Sequence, residues 1–298
     1  MISKKTDIIS EYKKNKYSAS NKIEQDVFLN PISCAKLRKN NQYTFEIPSI
    51  SEHSFLKKSK QLKISKDCIL HWVNSENGDK IKESCGLEEH LYSIDYCSER
   101  SFFLRKKIDL FSPYFEEEIS LIARFISSIV WLTSDDDDAE FGSASFYEMP
   151  HCTFFSDAAL FFVPPYIQIE KGISGIAIIE NMYHEALHHQ MHSHCFNNKI
   201  SYGKNINPYE ETVYLPQRKD RKFTYFQAIN ALHVYHNVVK FREKAISVLN
   251  KIDIKNSSKL PEKYLNKSVE MKHFLYESLL REKRNLSKEM IDMINQWR

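Results

Sequence analysis

Across 298 residues the chain carries 42 Lys and Arg against 39 Asp and Glu, a formal charge of +3. Such an even balance argues against a nucleic-acid-binding protein, and 42% hydrophobic with 13% aromatic residues is enough for a packed core. The longest apolar runs, Ala158 to Pro165 and Ile176 to Ile179, are too short for a membrane span.

The first residues, Met1 to Lys14, are charged and lack the apolar core of a signal peptide. The expected location is therefore the cytoplasm, where the six scattered cysteines would stay reduced. Gly is scarce and no GxGxxG or GxxxxGK[ST] run occurs, which disfavours a Gly-rich nucleotide loop.

In chain order, residues 1–100 are polar and weakly periodic, with alternating runs at Tyr43 to Ile50 and Gln61 to Val73 that suggest short strands. This stretch is set apart as an N-terminal region, a candidate for binding substrate or a leader segment. Residues 101–298 form the expected catalytic domain. Ser112 and Pro113 suit a helix start, with Glu116, Glu117 and Glu118 near the positive end of the helix dipole. Phe115, Ile119, Ile122, Ile126 and Ile129 recur at three- and four-residue spacing, one buried stripe, although Ile129 to Thr133 also suits a strand.

Asp135 to Asp138 lack the alternating ligands and central Gly of a calcium loop and are expected to be solvated. Gly142 to Ser156 and Ala158 to Ile169 suggest strands, interrupted at Pro164–Pro165. Helices are expected from about Ile176 to His194 and from Phe223 to Leu249, and Ser287 caps a last helix that turns Met290, Ile291 and Ile294 to one side.

The sharpest signal is His184-Glu185-Ala186-Leu187-His188. Residues four apart share a helix face, so two imidazoles can hold one ion. In zinc hydrolases the Glu of this motif is the general base. The motif sits in an amphipathic helix preceded by strand-like sequence, as in zincins. The expected fold is thus α+β, a predominantly helical zincin-like domain with a small antiparallel sheet beside the HExxH helix.

A third ligand must come from elsewhere. His194 stands where metzincins place theirs, but Met191 replaces the Gly that would end the helix. Glu210 or Glu211 could serve as the later Glu of a gluzincin. His233 is preferred, because Asn230 and Asn237 flank it in an apolar helix, and His236 is its rival.

Several segments together resemble the HExxH-motif peptide-modification proteins of ribosomal peptide pathways. They are Gly142-Ser143-Ala144-Ser145, the His184 to His188 motif, Tyr214 to Arg221, and Ala231-Leu232-His233-Val234-Tyr235. The likeness covers about Ser112 to Leu249, and only HExxH is sharp. It implies an Fe(II)- and 2-oxoglutarate-dependent dioxygenase that β-hydroxylates a side chain of a ribosomally made precursor peptide. His184, His188 and His233 would be ligands, Glu185 a base or orienter, and Arg218 or Arg221 would grip a carboxylate of 2-oxoglutarate through a planar fork. Arg221-Lys222-Phe223 departs from the family, which has Arg followed by Pro there.

The competing reading is a Zn(II) metalloprotease. Glu185 would be its base, Tyr209 or Tyr214 its oxyanion partner, and His151 to Phe155 the edge strand that holds substrate. In neither reading is nucleic acid or membrane a partner.

Overall fold

In a computed structural model the chain is described over residues 59–65, 68–85, 87, 90–134, 142–146, 151–197, 200–203, 206–208, 211–214, 223–252 and 260–298. The suggested strand at 43–50, the acidic run at 135–138, and Tyr209, Glu210, Arg218 and Arg221 lie outside these residues.

Ten short strands and seven α-helices are found among the described residues. β1 (Lys60–Ser65) and β2 (Cys68–Trp72) form an antiparallel hairpin, built on alternating burial of Leu62, Ile64, Cys68, Leu70 and Trp72. α1 (Ser75–Cys85), β3 (Leu91–Ser93), α2 (Ser98–Phe111), a 3-10 turn (Ser112–Tyr114) and α3 (Glu116–Phe125) lead to β4 (Ser128–Ser134). β5 (Ser143–Ser145) and β6 (Cys152–Phe155) follow. The main sheet has the order β1-β2-β4-β6-β5, with β3 antiparallel to the far end of β4.

The sheet is mixed rather than antiparallel as expected. β2, β4 and β6 run parallel, and β5 closes the order antiparallel to β6. β4 is buried on both faces. Ile129 and Trp131 join the large core with α2, α3 and the helix at Ser174–Asn197, while Val130 and Leu132 join the smaller core with Ile81 of α1. That double burial explains why Ile129 to Thr133 lacked a strand's alternation. β1, β2 and β3, all before residue 100, pair in the same sheet as β4.

Helix α2 has no counterpart among the expected elements, and Ser112 begins a 3-10 turn rather than the helix itself. The stripe Phe115, Ile119, Ile122 and Ile126 is buried as expected. A small hairpin, β7 (Phe162–Val163) with β8 (Ile167–Gln168), turns at the cis Pro164–Pro165 bond. α4 (Ser174–Asn197) then runs through the middle of the molecule, between α2 and α3 on one side and β5 on another. It approaches α2 closely at Gly175, where a Cβ would fall 2.3 Å from the Lys107 carbonyl oxygen.

A two-stranded ribbon, β9 (Thr212–Val213) with β10 (Phe223–Thr224), leads into α5 (Tyr225–Lys251). Its capping box is complete, with Gln227 N donating to Thr224 Oγ1 and Thr224 N donating to Gln227 Oε1. α6 (Lys263–Arg281) and α7 (Lys288–Gln296) pack with α5 around the third core. Ser287 caps α7 through Met290 N, as expected. No helix among the described residues is long and apolar enough to cross a membrane.

Candidate metal centre

α4 carries polar groups on two adjacent faces, in a helix otherwise filled by Ile176, Ile179, Met182, Ala186 and Leu187. Glu180, His184, His188 and His192 recur every four residues and face α5. Asn181, Glu185 and His189 do the same one step round and face the sheet. All but His188 are buried.

The Nε2 atoms of His184 and His188 lie 3.2 Å apart. A first-row ion held at about 2.0–2.1 Å from both nitrogens would subtend roughly 100° between them. The spacing is therefore compatible with both nitrogens reaching one metal ion. Burial, with His188 and Arg242 nearby, holds the His184 imidazole well below its ordinary pKa and so in the neutral form that binds metals. His184 Nδ1 is buried and has no hydrogen-bond partner.

His188 is braced. Its Nδ1 lies 2.9 Å from Asn230 Oδ1 of α5, and Asn230 Nδ2 lies 2.5 Å from His192 Nε2. The ring of His192 stacks on Phe226 at 5.1 Å. Tyr235, buried on α5, meets the His184 ring edge-on at 6.2 Å.

Glu185 faces β5. Ser143 Oγ donates to Oε1 at 2.7 Å and Ser145 Oγ to Oε2 at 2.5 Å, so each carboxylate oxygen is engaged. One turn earlier, Asn181 Nδ2 donates to the carbonyls of Ala159 and Phe162. His189 accepts from His151 N and pairs with Thr153. This face thus fastens the helix to the sheet.

A cavity of about 490 Å³ opens over the histidine pair. His184, His188, His192, Asn230 and Tyr235 contribute its polar side, and Phe146, Phe226, Val234 and Met271 contribute apolar wall. Ser145 and Pro164 reach its rim, and among the described residues no Lys or Arg lines it. The nearby Arg242 is fully committed. It binds Glu180 through Nε and Nη2, the Tyr264 carbonyl through Nη1 and the Pro164 carbonyl through Nη2.

Not every expected residue is brought to this centre. His233 Nε2 pairs with Gln190 Oε1 at 3.1 Å, its ring lies 5.2 Å from Trp297, and it does not line the cavity. The reason is angular. Asn230 lies near one edge of the cavity-lining arc of α5, which runs round to Tyr235, and His233 stands about 60° from Asn230 in the opposite direction. His236 pairs with the Trp297 carbonyl, and neither it nor His194 lines the cavity. Glu211 accepts from Asn207 N instead, and Tyr214 is exposed. Among the described residues, no cluster of three or more His, Cys, Asp or Glu is arranged to hold a metal. Among the described residues the centre therefore brings together two imidazoles, with Asn230 and Tyr235 as polar neighbours.

His151 to Phe155 is not an edge strand, because β6 lies between β4 and β5. The strand that ends the sheet next to α4 is β5. No family model matches the chain, and no curated protein matches it.

Proposed function

We propose that the chain is a metal-dependent enzyme that modifies a peptide, with Fe(II)- and 2-oxoglutarate-dependent β-hydroxylation of a side chain as its reaction. The observation that carries the metal part is the convergence of His184 and His188 Nε2 under a cavity of enzyme-site size. Iron with 2-oxoglutarate supplies, when bound, the oxidising power that turns a C–H bond into C–OH at the expense of O2. The zincin-like character of the domain belongs to the same proposal. Its support is a mixed sheet whose antiparallel last strand, β5, lies beside the HExxH helix.

What the chain's own residues contribute follows from their positions. His184 and His188 bind. The Glu185 carboxylate ties β5 to α4 and thereby fixes the distance between sheet edge and histidine pair. Among the described residues β5 ends the sheet, and an extended precursor peptide could pair with its outer side by main-chain hydrogen bonds. Phe146, Phe226, Val234 and Met271 exclude water from the side chain that enters.

The described lining offers no cation for 2-oxoglutarate; Arg218 and Arg221, one of which the family resemblance implies for its carboxylate, lie outside the described residues. Glu185 is held against β5 by two serines and does not line the cavity, which favours an oxygenase over a hydrolase, because a hydrolytic base needs an oxygen directed at water. A zinc metallopeptidase is the second reading, and Tyr235 beside His184 is the observation on its side, since a phenol there could stabilise an oxyanion.

The test is anaerobic reconstitution with Fe(II), followed by addition of 2-oxoglutarate. A visible charge-transfer band, lost in His188→Ala, supports the oxygenase. Absence of the band together with copurifying Zn(II) and cleaved peptides would transfer the site to the peptidase reading.

A further inference from the structure

The side chain of Asn230 touches two imidazoles, and its two ends are chemically opposite. Its Nδ2 can only donate, so His192 Nε2, at 2.5 Å, accepts. Its Oδ1 can only accept, so His188 Nδ1, at 2.9 Å, carries the hydrogen. A neutral imidazole with hydrogen on Nδ1 has its lone pair on Nε2, the atom that faces His184 Nε2. His192 is itself held against Phe226, and Asn230 is buried. Turning the amide over would place a donor against His188 Nδ1 and an acceptor against His192 Nε2, forcing both rings into the other tautomer.

We infer that Asn230 is a positioning residue for the metal site: anchored by His192, its carboxamide fixes His188 in the tautomer that presents Nε2 as a ligand. This rests on the reading of His184 and His188 as a metal-holding pair. Asn230 touches no reacting atom; it acts through His188, as an outer carboxylate or carbonyl does for a metal-bound histidine. His184 has no such partner on its Nδ1, so the bracing of the pair falls on one side.

The test uses the full chain and two readouts. The first is Co(II) affinity, measured by competition with a chromophoric chelator. The second is the tautomer of His188 in the metal-free protein, from histidine 15N shifts. Asn230→Leu is expected to weaken Co(II) by roughly 10–100-fold, the usual effect of losing such a partner, and to leave His188 as a tautomer mixture. Asn230→Asp keeps the acceptor and is expected to retain the affinity and the Nδ1–H form. His192→Phe, which fills the same stacked position over Phe226, removes the anchor and should give an intermediate loss. It also carries the test should Asn230→Leu fail to fold.

Co(II) binding by Asn230→Leu or His192→Phe within threefold of the parent, with His188 unchanged in tautomer, would overturn the inference. If the parent itself binds no Co(II), the histidine pair is not a metal site. The 15N measurement then still decides whether Asn230 sets the tautomer.

Discussion

Arg242 and Glu180 meet where no solvent reaches. Both side chains are fully buried, and the arginine Nε and Nη2 converge on one oxygen, Oε1, at 2.9 and 2.5 Å. Tyr264 donates its hydroxyl to the other oxygen at 2.5 Å. Helices α4, α5 and α6 and the Pro164 turn are thus joined through one ion pair, one helical turn below His184. Removing a single partner strands the other charge in a low-dielectric space. Arg242→Met is expected to cost about 3–5 kcal/mol in urea unfolding. Glu180→Leu combined with Arg242→Met should cost less than the sum of the singles, and strict additivity would refute the coupling.

Metal stoichiometry separates the histidines. His184→Ala and His188→Ala should each abolish stoichiometric Co(II) or Zn(II) binding, since two ligands cannot spare one. His233→Ala should keep the stoichiometry, because His233 faces Gln190 and Trp297 away from the cavity. Equilibrium dialysis with metal analysis decides this, and loss of metal in His233→Ala would restore His233 as a ligand.

Glu185→Gln divides the two chemistries. A peptidase that lost its base would fall by several orders of magnitude. An oxygenase in which Glu185 ties β5 to α4 would keep partial turnover. Its loss would come with weaker peptide binding and a thermal shift, since hydrogen bonds to a charged carboxylate contribute about 1.5–3 kcal/mol each. Peptide turnover and melting of Glu185→Gln beside Ser143→Ala/Ser145→Ala make the comparison. The serine pair should reproduce the structural part alone.

Acid should destabilise the fold through His233. Burial, reinforced by His236, His188, His194 and Lys240, pushes its pKa down to about 3 from an unfolded value near 6.5. As pH falls below about 6.5 the unfolded chain takes the proton first, so stability is lost progressively down to about 3. Within that window one group contributes a slope of about 1.4 kcal/mol per pH unit. Denaturant melts from pH 7 to 4.5 should show it, and His233→Leu should reduce the slope by about one proton. An unchanged slope would mean that His233 is protonated in the fold.

Gly175 sets the spacing between α2 and α4. With a Cβ placed 2.3 Å from the Lys107 carbonyl oxygen, Gly175→Ala must push backbone from backbone. An overpacking cost of about 1–3 kcal/mol follows, despite the better helix propensity of Ala. A melting temperature at or above that of the parent would show that the helices can separate freely.

Much of this architecture was legible where one period dominated. The helix bearing His184 and His188, the long helix from Tyr225, the Gln61 to Val73 strands and the Ser287 cap all follow local rules. The sheet order did not, because β4 is covered on both faces and β5 is three residues long, so neither displays alternation. At the centre, the sequence pointed to His184, Glu185 and His188 but placed His233 with Asn230. A shared helix stripe does not guarantee a shared target: Asn230 lies near the edge of the lining arc, and His233, just past that edge, meets Trp297 instead. Glu180 and His192 were visible as the four-residue extensions of the motif in both directions. Ser143 and Ser145 stand in one of the segments that resemble the family, but their hold on Glu185 depends on a sheet edge that pairing alone creates.

The two polar faces of α4 also make its reading frame intolerant. One inserted or deleted residue between Glu180 and His192 turns everything beyond it by 100°. The histidines would swing away from Asn230 in the same event that pulls Glu185 from Ser143 and Ser145. Point substitutions can touch the cavity face or the sheet face separately, whereas a length change cannot. The stretch from Glu180 to His192 therefore tolerates exchange of side chains but not a change of length.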